Sequence, residues 1–166
     1  MEKYVHIEIN NFGTVIFKMR YDLSPVNCAK FEQFVREGLF DHRIIQRIAP
    51  DFVLQFTYEN YQDPRMECMT DLERSIEPFK KGTVALGGDG QYISSPADFF
   101  ITITDEHTRK LNFNYSIIGE VVQGYDIVEK IIAVPTKRIT MKDAPSVVVM
   151  QPLEDIIVYK MYISEE

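Results

Sequence analysis

Cysteine is nearly missing. Cys28 and Cys68 are all that the 166 residues hold, one inside an amphipathic helical pattern and the other in a polar stretch. That is no disulfide framework, and reduced thiols are expected. A bridge between the two would need roughly 6 Å between their Cα atoms. No run of lysine or arginine forms a stripe, and a net charge of -7 with a pI near 5.0 argues against nucleic acid as a partner. No long apolar run follows a basic start in Met1-Glu2-Lys3-Tyr4-Val5-His6-Ile7-Glu8, so the expectation is no secretory leader, no membrane partner and a cytoplasmic location. No repeat, low-complexity tract or shift of composition marks a boundary, which leaves one domain over residues 1–166. His6 and Glu8 share a strand face, but with His42 and His107 they make no compact ligand motif, so neither a metal nor another cofactor is expected. Ser94-Ser95 lacks the strand–serine–helix elbow of a hydrolase nucleophile, and reads as a pair of loop serines.

What is present is ordinary for a globular chain: 45% hydrophobic and 26% charged residues. Residues 4–9 alternate apolar and polar, Asn10-Asn11-Phe12-Gly13 supplies turn chemistry, and residues 14–19 resume the alternation, a hairpin pattern. Ser24-Pro25 predicts a helix start, with serine as N-cap and proline at the first helical position. Cys28, Phe31, Phe34 and Val35 then recur at helical spacing up to Gly38. Residues 44–48 and 52–56 read as strands around the turn Ala49-Pro50-Asp51. Residues 57–81 form a polar, acidic excursion of a length that is seldom idle in a compact domain. Residues 83–86, 99–102 and 116–121 are short strands, with residues 87–96 a loop between the first two. Residues 125–132 form a second helix, and residues 155–163 a closing strand. Residues 135–150 have no clear place, although Val147, Val148, Val149 and Met150 allow an extra edge strand. Many strands, two helices and no βαβ alternation give a mainly β fold, a closed antiparallel barrel with the helices over its ends.

Three blocks carry a resemblance. The first runs from Ser24-Pro25-Val26-Asn27-Cys28-Ala29-Lys30-Phe31 through Phe34-Val35-Arg36, Gly38-Leu39-Phe40-Asp41 and Ile45-Gln46-Arg47-Ile48 to Phe52-Val53-Leu54-Gln55. The second is Gly82-Thr83-Val84-Ala85-Leu86 followed by Phe99-Phe100-Ile101-Thr102. The third is Ile118-Gly119-Glu120-Val121-Val122-Gln123-Gly124-Tyr125-Asp126-Ile127-Val128-Glu129-Lys130-Ile131, with Pro152-Leu153-Glu154-Asp155 after it. In this order they resemble a divergent, bacterial-like cyclophilin over nearly the whole chain. The resemblance implies an eight-stranded antiparallel barrel capped by two α-helices, and cofactor-free cis/trans isomerisation of X-Pro peptide bonds in proline-containing peptides or unfolded proteins.

It also implies a site. Arg47 stands where the family's catalytic arginine donates hydrogen bonds near the prolyl nitrogen. Phe52, Val53, Phe100 and Leu111 match the apolar wall around the proline ring, with Gln55 near the substrate backbone. Tyr115 replaces a frequent histidine, and Gly87-Gly88 replaces an Ala-Asn pair whose main chain holds the peptide. Asp98 replaces a glutamine, and from the groove wall it would repel acidic peptides or attract a basic residue beside proline. Gln46 and Lys110 replace a frequent histidine and a tryptophan, so cyclosporin binding is expected to be weak or absent. The glycine-rich run after the glutamine is replaced by Phe56-Thr57-Tyr58-Glu59.

Blander readings stand beside these. Arg47 alone would more often be a partly exposed strand arginine in a structural ion pair than a catalyst. Phe52, Val53 and Leu111 fit a core, Gln55 a solvent-facing strand, and Tyr115 a barrel rim. Adjacent strand residues point to opposite faces, so Phe99 belongs in the core if Phe100 lines the groove. The altered groove also allows a second function class, a proline-peptide binding or scaffold module with little or no turnover.

Overall fold

In a computed structural model of the chain, the described residues are 1–49, 52–56, 63–106, 108–141 and 144–166, with nothing said of the side chains of 141 and 144–148. The first hairpin follows from its alternation. Val5, Ile7 and Ile9 on β1 (Lys3–Ile9) and Val15, Phe17 and Met19 on β2 (Gly13–Met19) point into the core, and their neighbours point out. Helix α1 (Pro25–Arg36) buries Cys28, Phe31, Phe34 and Val35 along one stripe. Strands β3 (Ile45–Ala49), β4 (Val53–Phe56), β5 (Thr70–Asp71), β6 (Thr83–Gly88), β7 (Ile93–Thr102) and β8 (Ile117–Gln123) follow. Helix α2 (Tyr125–Ile132), β9 (Thr136–Met141), β10 (Ala144–Pro152) and β11 (Val158–Glu165) complete the chain.

The antiparallel sheet runs β11-β1-β2-β8-β6-β7-β4-β3-β10-β9. The starts of β3 and β11, the outer strands of its first eight, come together. Ile44, just before β3, bridges Ile157, just before β11. His42 and Ile45 donate backbone N–H groups to Val158 and Ile156 at 2.7 and 2.9 Å, and Val158 donates back to Arg43 at 2.7 Å. Aromatic rings fill the interior. Phe99 on β7 stacks on Phe56 at 4.5 Å between centroids and meets Phe31 and Phe40 edge-on at 5.2 and 5.4 Å. Each such buried side chain contributes about 1.5–3 kcal/mol. Cys28 lies in the same core, its thiol donating to the Ile118 carbonyl at 3.4 Å, and both cysteines are free.

Three expectations need correction. Ser24 does not cap α1 with its side chain, and its buried Oγ has no partner. Glu73, from the acidic excursion, accepts the backbone N–H groups of Val26 and Asn27 at 3.1 and 2.7 Å instead. A carboxylate there satisfies orphan donors and complements the helix dipole, which a neutral hydroxyl does less well. Residues 87–96 are not an open loop. β6 and β7 continue as a hairpin past a bulge, closed by a turn in which Asp89 Oδ1 accepts from Gln91, Tyr92 and Ile93. Ser94 and Ser95 therefore sit in a strand, and Ser94 Oγ lies 2.7 Å from Ser116 Oγ. The unplaced segment 135–150 joins β9 and β10, a hairpin docked on β3 by the pair Met150–Ile48. The turn at Pro50-Asp51, residues 57–59 and His107 lie outside the described residues, whereas His6 stacks on Tyr162 at 4.5 Å and contacts Ser164 Oγ at 2.8 Å.

Candidate active site

One row of residues crosses five strands. Arg47 on β3 lies opposite Gln55 on β4, Gln55 opposite Phe100 on β7, Phe100 opposite Ala85 on β6, and Ala85 opposite Ile117 on β8. Residues directly opposite share a face, and here it is the face turned away from the Phe99 core. Alternation within each strand does the sorting. Leu54, Phe56, Phe99 and Ile101 go inward, while Val53, Gln55 and Phe100 go outward.

On that outer face Val53, Phe79, Ala85, Phe100, Leu111 and Ile117 form a second apolar cluster, edged by Leu23, Ala49, Phe52 and Tyr115. Five residues expected at the proline wall, Phe52, Val53, Phe100, Leu111 and Tyr115, are thus brought together. Tyr115 meets Phe100 edge-on at 5.8 Å between centroids. Leu111 arrives on a short 3-10 turn, Arg109–Leu111. Lys110 from the same turn sets its ammonium 4.4 Å over the Phe52 ring.

Phe79 is, with Ala85 and Ile117, a member that the sequence reading missed. It lies nearly parallel to Phe100 at 6.3 Å. Its backbone N–H donates to Asn112 Oδ1 at 2.8 Å, which ties the end of the excursion to the turn carrying Leu111. The available signal was a large apolar residue at the end of a polar stretch.

The polar end of the row is a relay. Arg47 Nη1 donates to Gln55 Oε1 at 3.2 Å, and Gln55 Nε2 donates to Asp98 Oδ1 at 3.0 Å. Arg47 is half-buried. Gln55 is only 5% exposed, which removes its solvent-facing reading. Asp98 is 6% exposed, so it does not stand on the groove wall as an open charge for peptides. Burial pushes its carboxyl well above the usual carboxylate range, while the Gln55 hydrogen bond and the Arg47 charge pull the other way. Gly87 pairs with Ser95 and Gly88 with Ser94, so both glycines belong to the hairpin. A Cβ at Gly88 would stand 2.2 Å from the Ile93 carbonyl oxygen, and only glycine fits there.

A cation beside a buried amide and an apolar patch can polarise and desolvate a bound peptide bond, and offers no nucleophile. The profile of the family described as "Cyclophilin type peptidyl-prolyl cis-trans isomerase/CLD" matches residues 4–158. The chain belongs to the cyclophilin family. Peptidyl-prolyl cis-trans isomerase B of Escherichia coli K12 is 29% identical to this cyclophilin, with 93% of this chain and 96% of that protein aligned. A probable peptidyl-prolyl cis-trans isomerase of Brucella suis is 32% identical across 72% of this chain and 66% of its own. Among solved structures, a cyclophilin-type isomerase of Cryptosporidium parvum superposes with a TM-score of 0.82 at 19% identity, covering 100% and 99% of the two chains. A crystal structure of that protein in the presence of the dipeptide Ala-Pro superposes at 0.80, again at 19% identity, covering 98% and 99%. By family this cyclophilin is a peptidyl-prolyl cis-trans isomerase, and the family binds proline peptides.

Proposed function

We propose that Arg47 carries the isomerisation and that the outer apolar cluster receives the proline ring. Rotation about an X-Pro bond must break amide resonance, a barrier of roughly 18–20 kcal/mol, so a catalyst needs only to favour the twisted state. As the bond twists, the prolyl nitrogen becomes pyramidal and regains a lone pair. An Arg47 N–H aimed at that nitrogen is worth more there than in the planar ground state. A guanidinium has five donors, of which the Gln55 contact takes one. The ring would rest on Phe52, Val53, Phe100, Leu111 and Tyr115, while Gln55, Gly87 and Gly88 would face the substrate backbone. Proline-containing peptides and unfolded proteins are the proposed partners. The observation that carries this reading is Arg47 and Gln55 standing in one cross-strand row with Phe100.

A protease-coupled assay on a short Ala-X-Pro-Phe peptide tests it. A charge-assisted hydrogen bond is worth about 1.5–3 kcal/mol, so Arg47→Ala should lower kcat/KM by roughly 10- to 100-fold. Saturable peptide binding with no acceleration of the slow cis phase would instead make the chain a binding module. The Lys110 ammonium over Phe52, where a flat indole would be needed, supports weak or absent cyclosporin inhibition in the same assay.

A further inference from the structure

Two departures from the family pattern, on the two strands of one hairpin, touch. A Cβ built on Gly87 would stand 2.8 Å from Asp98 Oδ2 and 3.2 Å from its Cγ, so the missing side chain at 87 makes the space the carboxyl occupies. The strand register supplies the other half of the fit. Between the pairs Leu86–Phe99 and Gly87–Ser95 the ladder jumps, and Asp98 sits in the resulting bulge of β7, a feature that re-aims side chains. The carboxyl so placed meets the Gln55 amide rather than solvent.

A glutamine amide can be turned end for end, and the two orientations differ here. With its oxygen toward Arg47 it accepts from the guanidinium; with its NH2 toward Arg47 two donors would face each other. Asp98 Oδ1 at the far end accepts from the NH2, which holds the first orientation. We infer that Asp98 is a positioning residue for the isomerisation, seated by Gly87, and that it acts on the reaction through Gln55 by holding the Arg47 guanidinium in place. The inference rests on Arg47 being the catalytic group. Asp98 touches no substrate in this scheme. Among the described residues, Arg47 is the charged group that acts on Asp98 across these strands.

The test is steady-state and NMR-exchange kinetics on one X-Pro peptide with the full chain. Loss of a single orienting hydrogen bond predicts that Asp98→Ala lowers kcat by about 3- to 10-fold, with KM moving by less than about twofold. Asp98→Asn, which has the same shape and keeps an acceptor oxygen, should retain about half the parent kcat or more. Gly87→Ala pushes on the carboxyl from behind and should lower kcat as Asp98→Ala does. In the double variant the added methyl has room, so the loss from Gly87→Ala should disappear. The Arg47 Nε–H resonance should shift in Asp98→Ala and stay near its parent position in Asp98→Asn.

An unchanged kcat in Asp98→Ala, or losses from Gly87→Ala and Asp98→Ala that multiply, overturns the inference while Arg47→Ala still lowers kcat/KM by roughly 10- to 100-fold. An Arg47→Ala variant with full activity sinks the underlying site reading instead. Should Asp98→Ala fail to fold, Asp98→Asn and Gly87→Ala decide alone: losses in both with Arg47 unshifted also overturn it.

Discussion

At Asp98 a carboxyl has been taken almost wholly out of water, with one amide and one neighbouring guanidinium to compensate. That has a sign. A free aspartate titrates at about 3.9, and burial raises Asp98 above that, so between the two values the folded chain binds more protons than the unfolded one. The stability Asp98 contributes is therefore complete below pH ~4 and is lost as pH rises through its folded value. Asp98→Asn, which cannot ionise, should melt at a higher temperature than the parent at pH 8, and the difference should close as pH approaches 4. A parent that gains on the variant with rising pH would show a carboxylate stabilised by its partners, against the direction argued from burial. Cys28 is set by the same force: burial pushes its thiol up to about 12, which leaves it inert beside the partly exposed Cys68.

Elements here are held by residues distant in sequence. Helix α1 begins with proline in its first turn, yet its free N–H groups are met by Glu73, 46 residues from Asn27. Asn27 returns the connection, its Nδ2 donating to Glu73 Oε1 at 2.7 Å and to the Asp71 carbonyl at 3.0 Å. The excursion is thereby fastened to the helix, and β5 fastens it to β7. Removing this cap should cost about 1–2 kcal/mol, so Glu73→Ala should lower the denaturation midpoint clearly. Ser24→Ala, removing a buried hydroxyl with no partner, should cost little or be stabilising. The reverse order in a urea titration would restore Ser24 as the cap.

On the scale of the whole molecule, one charge network ties the first strand, the first helix and the last strand. Glu32 on α1 accepts from Lys3 on β1 at 3.0 Å and from Arg36 at 2.7 Å, and takes a short hydrogen bond from Tyr21. Arg36 reaches on to Glu165 on β11 at 3.1 Å. Partial burial opposes ionisation of Glu32, but the bonds from Tyr21, Arg36 and Lys3 outweigh it and hold the carboxyl down at about 2. A free glutamate titrates at about 4.3, so the folded chain binds fewer protons in between; this stability is present above pH ~4.3 and is lost as pH falls toward 2. With solvent screening it is on the order of 1 kcal/mol. Glu32→Gln should melt below the parent at pH 7 and match it near pH 2, whereas a gap that ignores pH would assign the loss to packing.

Apolar periodicity, of two residues in a strand and 3.6 in a helix, is a property of the chain itself. For that reason the first hairpin, the α1 stripe and the separation of Phe99 from Phe100 could be read before any coordinates, as could the apolar residues destined for one face. The likeness to cyclophilins pointed to Arg47 and Gln55 as candidates. What the sequence could not contain was who meets whom across space: Glu73 at the helix start, Phe79 beside Phe100, and the bulge that turns Asp98 inward onto the space left by Gly87. Caps, buried carboxyls and ring contacts are fixed by partners brought together through strand register. Only the assembled sheet decided that a residue read as a groove charge is buried against the Gln55 amide.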